Sequence, residues 1–144
     1  MIIHFFAIFL FFLQSGIIEL IKKSDAVIIG PSNPITSISP ILSLEGVREA
    51  LKDTYVIAVS PIIGSDSVSG PASKFMKALD IEVSSLGVAS LYQDFLDTFV
   101  IDDKDSDKKV EINQIVNKVI ITNTIMNNLD AKKNLAEIII DSIP

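Results

Sequence analysis

DAVIIGPSNPITSISPILSLEGVREAL, residues 25–51, passes from an apolar run through a polar turn into a helical pattern. The run Ala26-Val27-Ile28-Ile29 is too short for a helix and rich in β-branched side chains, so it reads as a buried parallel strand. Gly30 and Pro31 stop it. Ser32, Asn33, Thr36 and Ser37 then place four polar side chains in the turn that leads into a helix. Open α/β sheets hold their ligands in this position, outside the carboxyl ends of the strands. Short hydroxyls, an amide and backbone N–H groups near a helix start suit an oxyanion such as phosphate. Pro31, Pro34 and Pro40 restrict the backbone, which lowers the entropy lost on binding. The same residues also fit an ordinary strand-to-helix connection whose Ser and Thr cap the helix.

Downstream, residues 45–52 form a helix with Val47, Ala50 and Leu51 inward and Arg48 and Glu49 outward. Arg48 reads as a solvated helix charge or as a ligand contact. A second apolar strand, 55–59 (YVIAV), ends in another long polar loop, 60–71. If both strands are parallel, loops 30–39 and 60–71 lie at one edge of the sheet, within reach of a single ligand. The segment from Gly64 to Gly70 is not a P-loop, because no Lys-Ser/Thr pair follows its second glycine. Pro71 suits the first turn of a helix over 72–79, with Phe75, Met76 and Leu79 on a core face. Lys74 lies in that first turn, where the helix dipole disfavours a cation unless an anion is present.

Residues 81–86 (IEVSSL) alternate and read as a short strand at the rim of the sheet. A helix over 88–96 carries Val88, Leu91, Tyr92 and Phe95 on one face, and 98–101 is another strand. Asp94 and Asp97, three apart, could share a metal but also fit solvated helix-end caps. The spacing of Asp103, Asp105 and Asp107 imitates a calcium loop. Lys108, however, stands where the sharp-turn glycine is required, and Gln114 where the bidentate Glu belongs. That segment therefore reads as a solvated surface loop. A strand over 118–122, a polar connector over 124–128 and a helix over 131–140 capped by Asp130 complete the pattern. Strands alternating with helices at short spacing predict an α/β, Rossmann-like layered domain with a mainly parallel sheet. No internal repeat or linker interrupts it from Gly16 onward.

Upstream, a short helix over 16–23 sets Ile17, Ile18 and Ile21 against Glu19, Lys22 and Lys23. Residues 1–13 (MIIHFFAIFLFFL) are apolar apart from His4. They fall short of the ~20 residues a helix needs to span a bilayer. They also lack the basic start and small-residue cleavage site of a secretory signal. They read as a buried strand or helix, an interfacial anchor, or a leader foreign to the domain. The expectation is that they pack as a helix or lie exposed, outside the sheet.

Composition excludes whole classes of chemistry. The 144 residues suffice for one domain with a core, and the mean hydropathy of +0.48 is high. A net charge of −6 argues against a nucleic-acid backbone as partner. The absence of Cys removes disulfides, thiolate nucleophiles and sulfur-ligated zinc. With His4 as the only His, neither a Ser-His-Asp triad built around the polar loops nor a multi-His metal site can form.

GPSNPITSI, followed by PIL and GVREAL, resembles the 2-phospho-L-lactate transferases, which act in biosynthesis of the deazaflavin coenzyme of methanogens and actinobacteria. SPIIG at 60–64, GPA at 70–72, GVASLYQDFLDTFVID at 87–102 and TIM at 124–126 extend the match in the family's order. The resemblance implies a Mg2+-dependent transfer. A guanylyl-activated phospholactate, or its phosphoenolpyruvate analogue, donates its phosphate ester to the terminal ribityl hydroxyl of a deazaflavin alcohol, releasing GMP. In that role Ser32, Asn33, Thr36 and Ser37 would hold phosphate or nucleotide, with Ser60, Gly64 and Lys74 across the cleft. No catalytic residue or metal ligand is assigned. Such a step is mainly alignment and charge neutralisation, which agrees with a chain so poor in nucleophiles.

Family members begin far upstream, with a strand and a Gly-rich phosphate-binding loop. The resemblance therefore implies that residues 16–144 are a partial domain with an incomplete sheet. Residues 1–15 would be an apolar leader not native to it, as a truncated or frame-shifted gene would give. It further implies a cytoplasmic protein that binds no nucleic acid and no membrane. A separately encoded N-terminal half or a second copy of the chain would be its protein partner, and the chain alone is expected not to transfer phospholactate. A different class also fits: a non-catalytic, nucleotide-sugar-binding regulatory module of the sister gluconeogenesis-factor family, which shares a TS-I-x-P turn. The Asn33-Pro34 pair favours the transferase branch. A third possibility is a membrane-attached remnant without a ligand.

Overall fold

The computed structural model describes residues 16–68 and 70–144; the apolar segment 1–15, with the expectations placed on it, and Ser69 lie outside the described residues. The chain begins with helix α1 (16–23) and strand β1 (Val27–Ile29). A π-helical turn (Pro34–Ile38) runs into α2 (Ser39–Leu42), followed by α3 (Val47–Lys52) and β2 (Val56–Val59). A small hairpin, β3 (Ile62–Ile63) and β4 (Asp66–Ser67), precedes α4 (Ala72–Ala78) and α5 (Ser85–Tyr92). After β5 (Thr98–Ile101) come a 3-10 segment (Asp103–Lys108), α6 (Lys109–Ile112), β6 (Lys118–Ile121) and α7 (Leu129–Ile140).

The four longer strands form one parallel sheet in the order β1-β2-β5-β6. Every residue of β2 and β5 is buried, as expected of inner strands covered on both faces. Alternation divides their side chains. Val56, Ala58, Phe99 and Ile101 join Val47 and Leu51 of α3, Met76 of α4, Val88 and Tyr92 of α5, and Ile112 of α6. Ile57, Val59 and Val100 face the other way, against Leu135 and Ile139 of α7. The result is a Rossmann-like, three-layered α/β fold. At the amino ends of the strands, the Asp97 carboxylate accepts the Val56 N–H at 2.9 Å and so ties the start of β2 to the entry of β5.

Several expectations need correction. Strand β1 is parallel but lies at the outside of the described sheet, and its middle residue Ile28 is 48% exposed rather than buried. The alternating segment 81–86 is not a strand. Ser84 turns extended and caps α5, accepting the Gly87 N–H at 3.0 Å, while a Cβ on Gly87 would lie 2.0 Å from the Glu82 carbonyl. That close approach needs glycine, and it starts the helix before Val88. On α4 only Met76 of the expected trio is buried; Phe75 and Leu79 are exposed. Asn128, not Asp130, caps α7, through the Ala131 N–H at 2.8 Å. Asp94 and Asp97 neither share a metal geometry nor cap a helix: Asp94 pairs with Arg48 and Lys52, and Asp97 holds β2. Arg48 also donates to the Leu91 carbonyl and lies over the Phe95 ring, so it links α3 to the end of α5.

Candidate functional site

Parallel strands deliver all their carboxyl ends to one edge, and four turns meet there: those after β1, β2, β5 and β6. The turn after β1 is itself helical, which the sequence pattern did not suggest. Asn33 Oδ1 accepts the N–H groups of Ile35 and Thr36 at 3.0 and 3.2 Å, and the Asn33 carbonyl accepts those of Ser37 and Ile38. Pro34 has no N–H to give, and its carbonyl takes the Ser39 N–H and hydroxyl instead. This widens the turn. With Oδ1 fixed by two donors, the remaining polar group of Asn33 is its amide nitrogen, which is buried and has no partner among the described residues. The side chains of Ser32, Thr36 and Ser37 are exposed.

The turn after β2 is more closed. Ser60 is buried, and its hydroxyl is engaged by the carbonyl and N–H of Ile62 at 2.8 and 3.2 Å. The β3–β4 hairpin, also unforeseen, turns at Gly64 with φ +63, where glycine carries no steric penalty. The Gly64 N–H donates to Asp105 at 2.8 Å. Lys74 is exposed on the first turn of α4 and has no acidic partner among the described residues. The dipole there already meets an acid, since Asp66 accepts from the Ser73 hydroxyl at 3.3 Å. The π-helical turn packs against α4, and α4 against β4, so loops 30–39 and 60–71 are neighbours at one edge. No hydrogen bond joins them among the described residues.

Sequence reasoning missed the third side of this edge. The acidic segment after β5 is not a solvated loop: Asp102 and Asp105 are each only 3% exposed. Asp102 accepts the Thr124 N–H at 3.0 Å, the Thr124 hydroxyl at 3.1 Å and the Lys104 N–H at 3.2 Å, which stitches the turn after β5 to the segment after β6. Asp105 gives one oxygen to Gly64, and its other oxygen is buried without a partner among the described residues. Burial holds the Asp105 carboxyl above the usual carboxylate range. The Gly64 N–H opposes that shift, and the charges of Asp102 and Asp107 add to it. The available signal was position, because Asp102 and Thr124 both follow apolar strands at their carboxyl ends.

Among the described residues no group of three or more His, Asp or Glu converges as a metal cage would require. Asp102, the most central acid, already has its oxygens engaged by backbone and hydroxyl donors. The described residues therefore do not fit a metal site of their own. No helix among them is long and apolar enough to cross a membrane.

A family model described as 2-phospho-L-lactate transferase CofD matches residues 13–141. Among curated proteins, the 2-phospho-L-lactate transferase of Methanocaldococcus jannaschii is 55% identical over 124 residues, 86% of this chain and 39% of that protein. The protein of the same name from Methanothermobacter thermautotrophicus is 50% identical over 128 residues, 89% of this chain and 42% of the relative. That of Methanosarcina mazei is 49% identical, with 88% and 42% covered. The chain thus spans about two fifths of the length of these relatives, in their C-terminal portion.

Proposed function

This chain belongs to the 2-phospho-L-lactate transferase CofD family, and from that premise we propose that residues 16–144 act as one α/β unit of a phospholactate transferase. The acceptor hydroxyl of a deazaflavin alcohol attacks the phosphorus of a guanylyl-activated phospholactate, or of its phosphoenolpyruvate analogue. GMP leaves, and the hydroxyl proton is released. The reading is supported by one observation above all: the family's PSNP turn presents a buried, unpartnered amide donor, Asn33 Nδ2, beside the exposed side chains of Ser32, Thr36 and Ser37. These groups would hold phosphate oxygens of the nucleotide, and Lys74 would neutralise part of their charge. Ser60 and Gly64 are engaged within the fold, so their part is to shape the opposite wall.

Magnesium, which phosphate donors commonly bring with them, would draw its protein ligands from outside the described residues. We place the protein in the cytoplasm, with the preceding part of the family's domain as its protein partner. The regulatory-module alternative gains no support, because the relatives above carry the transferase name.

The test is a thermal-shift titration of the full chain with guanine and uridine nucleotides. GDP should raise the melting temperature, and UDP-sugars should not. A preference for the uridine ligands would favour the regulatory class. In a transfer assay with deazaflavin alcohol and activated phospholactate, the chain alone should form no product. Positioning of both substrates supplies up to ~7–11 kcal/mol of barrier lowering, and this edge alone gives the acceptor no seat.

A further inference from the structure

We infer that Asp105 is a positioning residue of the candidate edge: its neutral carboxyl holds the tip of the β3–β4 hairpin against the turn after β5, and its ionisation loosens that wall. Binding of an anion at this edge is then coupled to uptake of a proton. The choice of anion rests on the transferase reading, whereas the hold on the hairpin is measured without a ligand.

The base and the tip of the hairpin are held differently. At the base, Ile62 is fully buried in the core, and its backbone is engaged by the Ser60 hydroxyl. At the tip, Gly64 turns with φ +63 and gives its N–H to one oxygen of Asp105 at 2.8 Å. No other hydrogen bond ties this tip to the turn after β5 among the described residues. Packing carries the position of the tip to the ligand edge. Strand β4 lies against α4, which bears Lys74, and α4 lies against the π-helical turn that bears Asn33.

The hold depends on charge because the buried carboxyl is half satisfied. An ionised carboxylate only accepts, and one oxygen of Asp105 meets no donor among the described residues. A buried charge in that condition costs more than the neutral group does. Release of the tip admits water to both oxygens, so opening is favoured once the group is charged. Burial is the largest cause that raises its titration; the Gly64 N–H opposes it, Asp102 and the exposed Asp107 add to it, and Lys108 opposes it. Of the elements packed against this segment, α5 brings no charged side chain, α6 brings Lys109 and Glu111, and β6 brings Lys118. Asp66 of the hairpin accepts from the Ser67 N–H and the Ser73 hydroxyl. The held form therefore binds the proton more tightly than the open one, and the hold is lost as pH rises through the folded titration point. An anion entering the edge adds negative charge nearby and favours the neutral carboxyl further.

The experiment compares the full chain with Asp105→Asn and Asp105→Ala. Asparagine keeps an oxygen for the Gly64 N–H without the charge, and alanine keeps neither. Hydrogen exchange at the Gly64 amide is followed from about pH 4 to about pH 8, corrected for intrinsic base catalysis. The reference is the Ser60 amide, which bonds the Val100 carbonyl at 2.9 Å and reports the sheet. Relative to Ser60, Gly64 protection should fall about threefold or more across that range in the wild type. It should stay level in Asp105→Asn and be lowest throughout in Asp105→Ala. GDP affinity is then read as the ratio of Asp105→Asn to wild type, in which the nucleotide's own phosphate titration cancels. That ratio should be near one at the acid end and rise about threefold or more toward neutral pH. Level wild-type protection overturns the inference, as does an asparagine variant that loses Gly64 protection as alanine does. So does a GDP ratio that stays near one at every pH while GDP binds. If GDP binds neither protein while Gly64 behaves as expected, the transferase reading fails and positioning by Asp105 stands.

Discussion

The turn after β1 and the turn after β5 leave the same edge of the sheet and use their polar groups in opposite ways. After β1, Asn33 folds one amide oxygen back on its own helical turn and leaves its nitrogen unpartnered, with Ser32, Thr36 and Ser37 in solvent. After β5, Asp102 and Asp105 point inward and bind segments from β6 and β2. The cause is the position of each strand. β5 lies between β2 and β6, so its turn is enclosed by the hairpin on one side and residues 122–124 on the other. Among the described residues β1 lies outside, and its turn has a neighbour on one side only. Here the turn after the inner strand β5 serves as scaffold, whereas the turn after β1 keeps polar groups that no described residue engages.

The largest effect expected from this contrast is on the scaffold side. Asp102→Ala strands two backbone N–H groups and the Thr124 hydroxyl in a buried site, and should cost about 3 kcal/mol of stability. Asn33→Ala removes a helix cap at the rim and should cost about 1 kcal/mol. Urea unfolding midpoints measure both. Equal losses would break the distinction between scaffold and available turn. Asn33→Asp sharpens it, because the cap oxygen is kept while the free donor is lost. That variant should melt near the wild type yet lose the response to GDP.

How much of this was legible in the sequence follows from the same contrast. The parallel strands are short apolar runs, so 26–29, 55–59, 98–101 and 118–122 were visible to within a residue, though only β2 and β5 are buried throughout. The alternation of 81–86 misled, because the helix start there depends on Ser84 as a cap and on Gly87 meeting the Glu82 carbonyl. The burial of Asp105 could not be read locally. Its partner Gly64 lies 41 residues earlier, on a hairpin that only the β2–β5 pairing brings near. The position of Ser32, Thr36 and Ser37 at the carboxyl end of an apolar strand was legible, and the fold leaves these side chains exposed.

A smaller effect, of opposite sign, is expected at Asp105. Its folded carboxyl titrates above the ordinary value of 3.8, chiefly through burial, so the native state binds that proton more tightly than the unfolded chain does. Its contribution to stability is complete below the unfolded value and is lost as pH rises through the folded one. Above that window the ionised, half-partnered carboxylate is a cost. Asp105→Asn keeps an oxygen for Gly64 and removes the charge, so it should stabilise by about 1 kcal/mol or less at neutral pH. The gain should shrink as pH falls toward the ordinary carboxylate range. A gain independent of pH would mean that the charge is not its source.

The smallest change in stability, and the sharpest test of the comparison, belongs to Thr36→Ala with Ser37→Ala. Both side chains are exposed, and neither hydroxyl bonds another described residue, so folding gains nothing from them. Alanine also loses less side-chain freedom in a helical turn than threonine does, which offsets any solvation change. Unfolding should therefore stay within about 0.5 kcal/mol of the wild type. If those hydroxyls hold phosphate oxygens, each lost bond to a charged acceptor removes about 1.5–3 kcal/mol of binding. The double variant should then lose most of its thermal shift with GDP at unchanged intrinsic melting. A matched pair at the scaffold turn, Asp103→Ala with Asp107→Ala, removes exposed charges and should leave the GDP response unchanged. Loss of the response in that pair, with retention in the Thr36 and Ser37 variant, would move the ligand to the β5 side and reverse the assignment of the two turns.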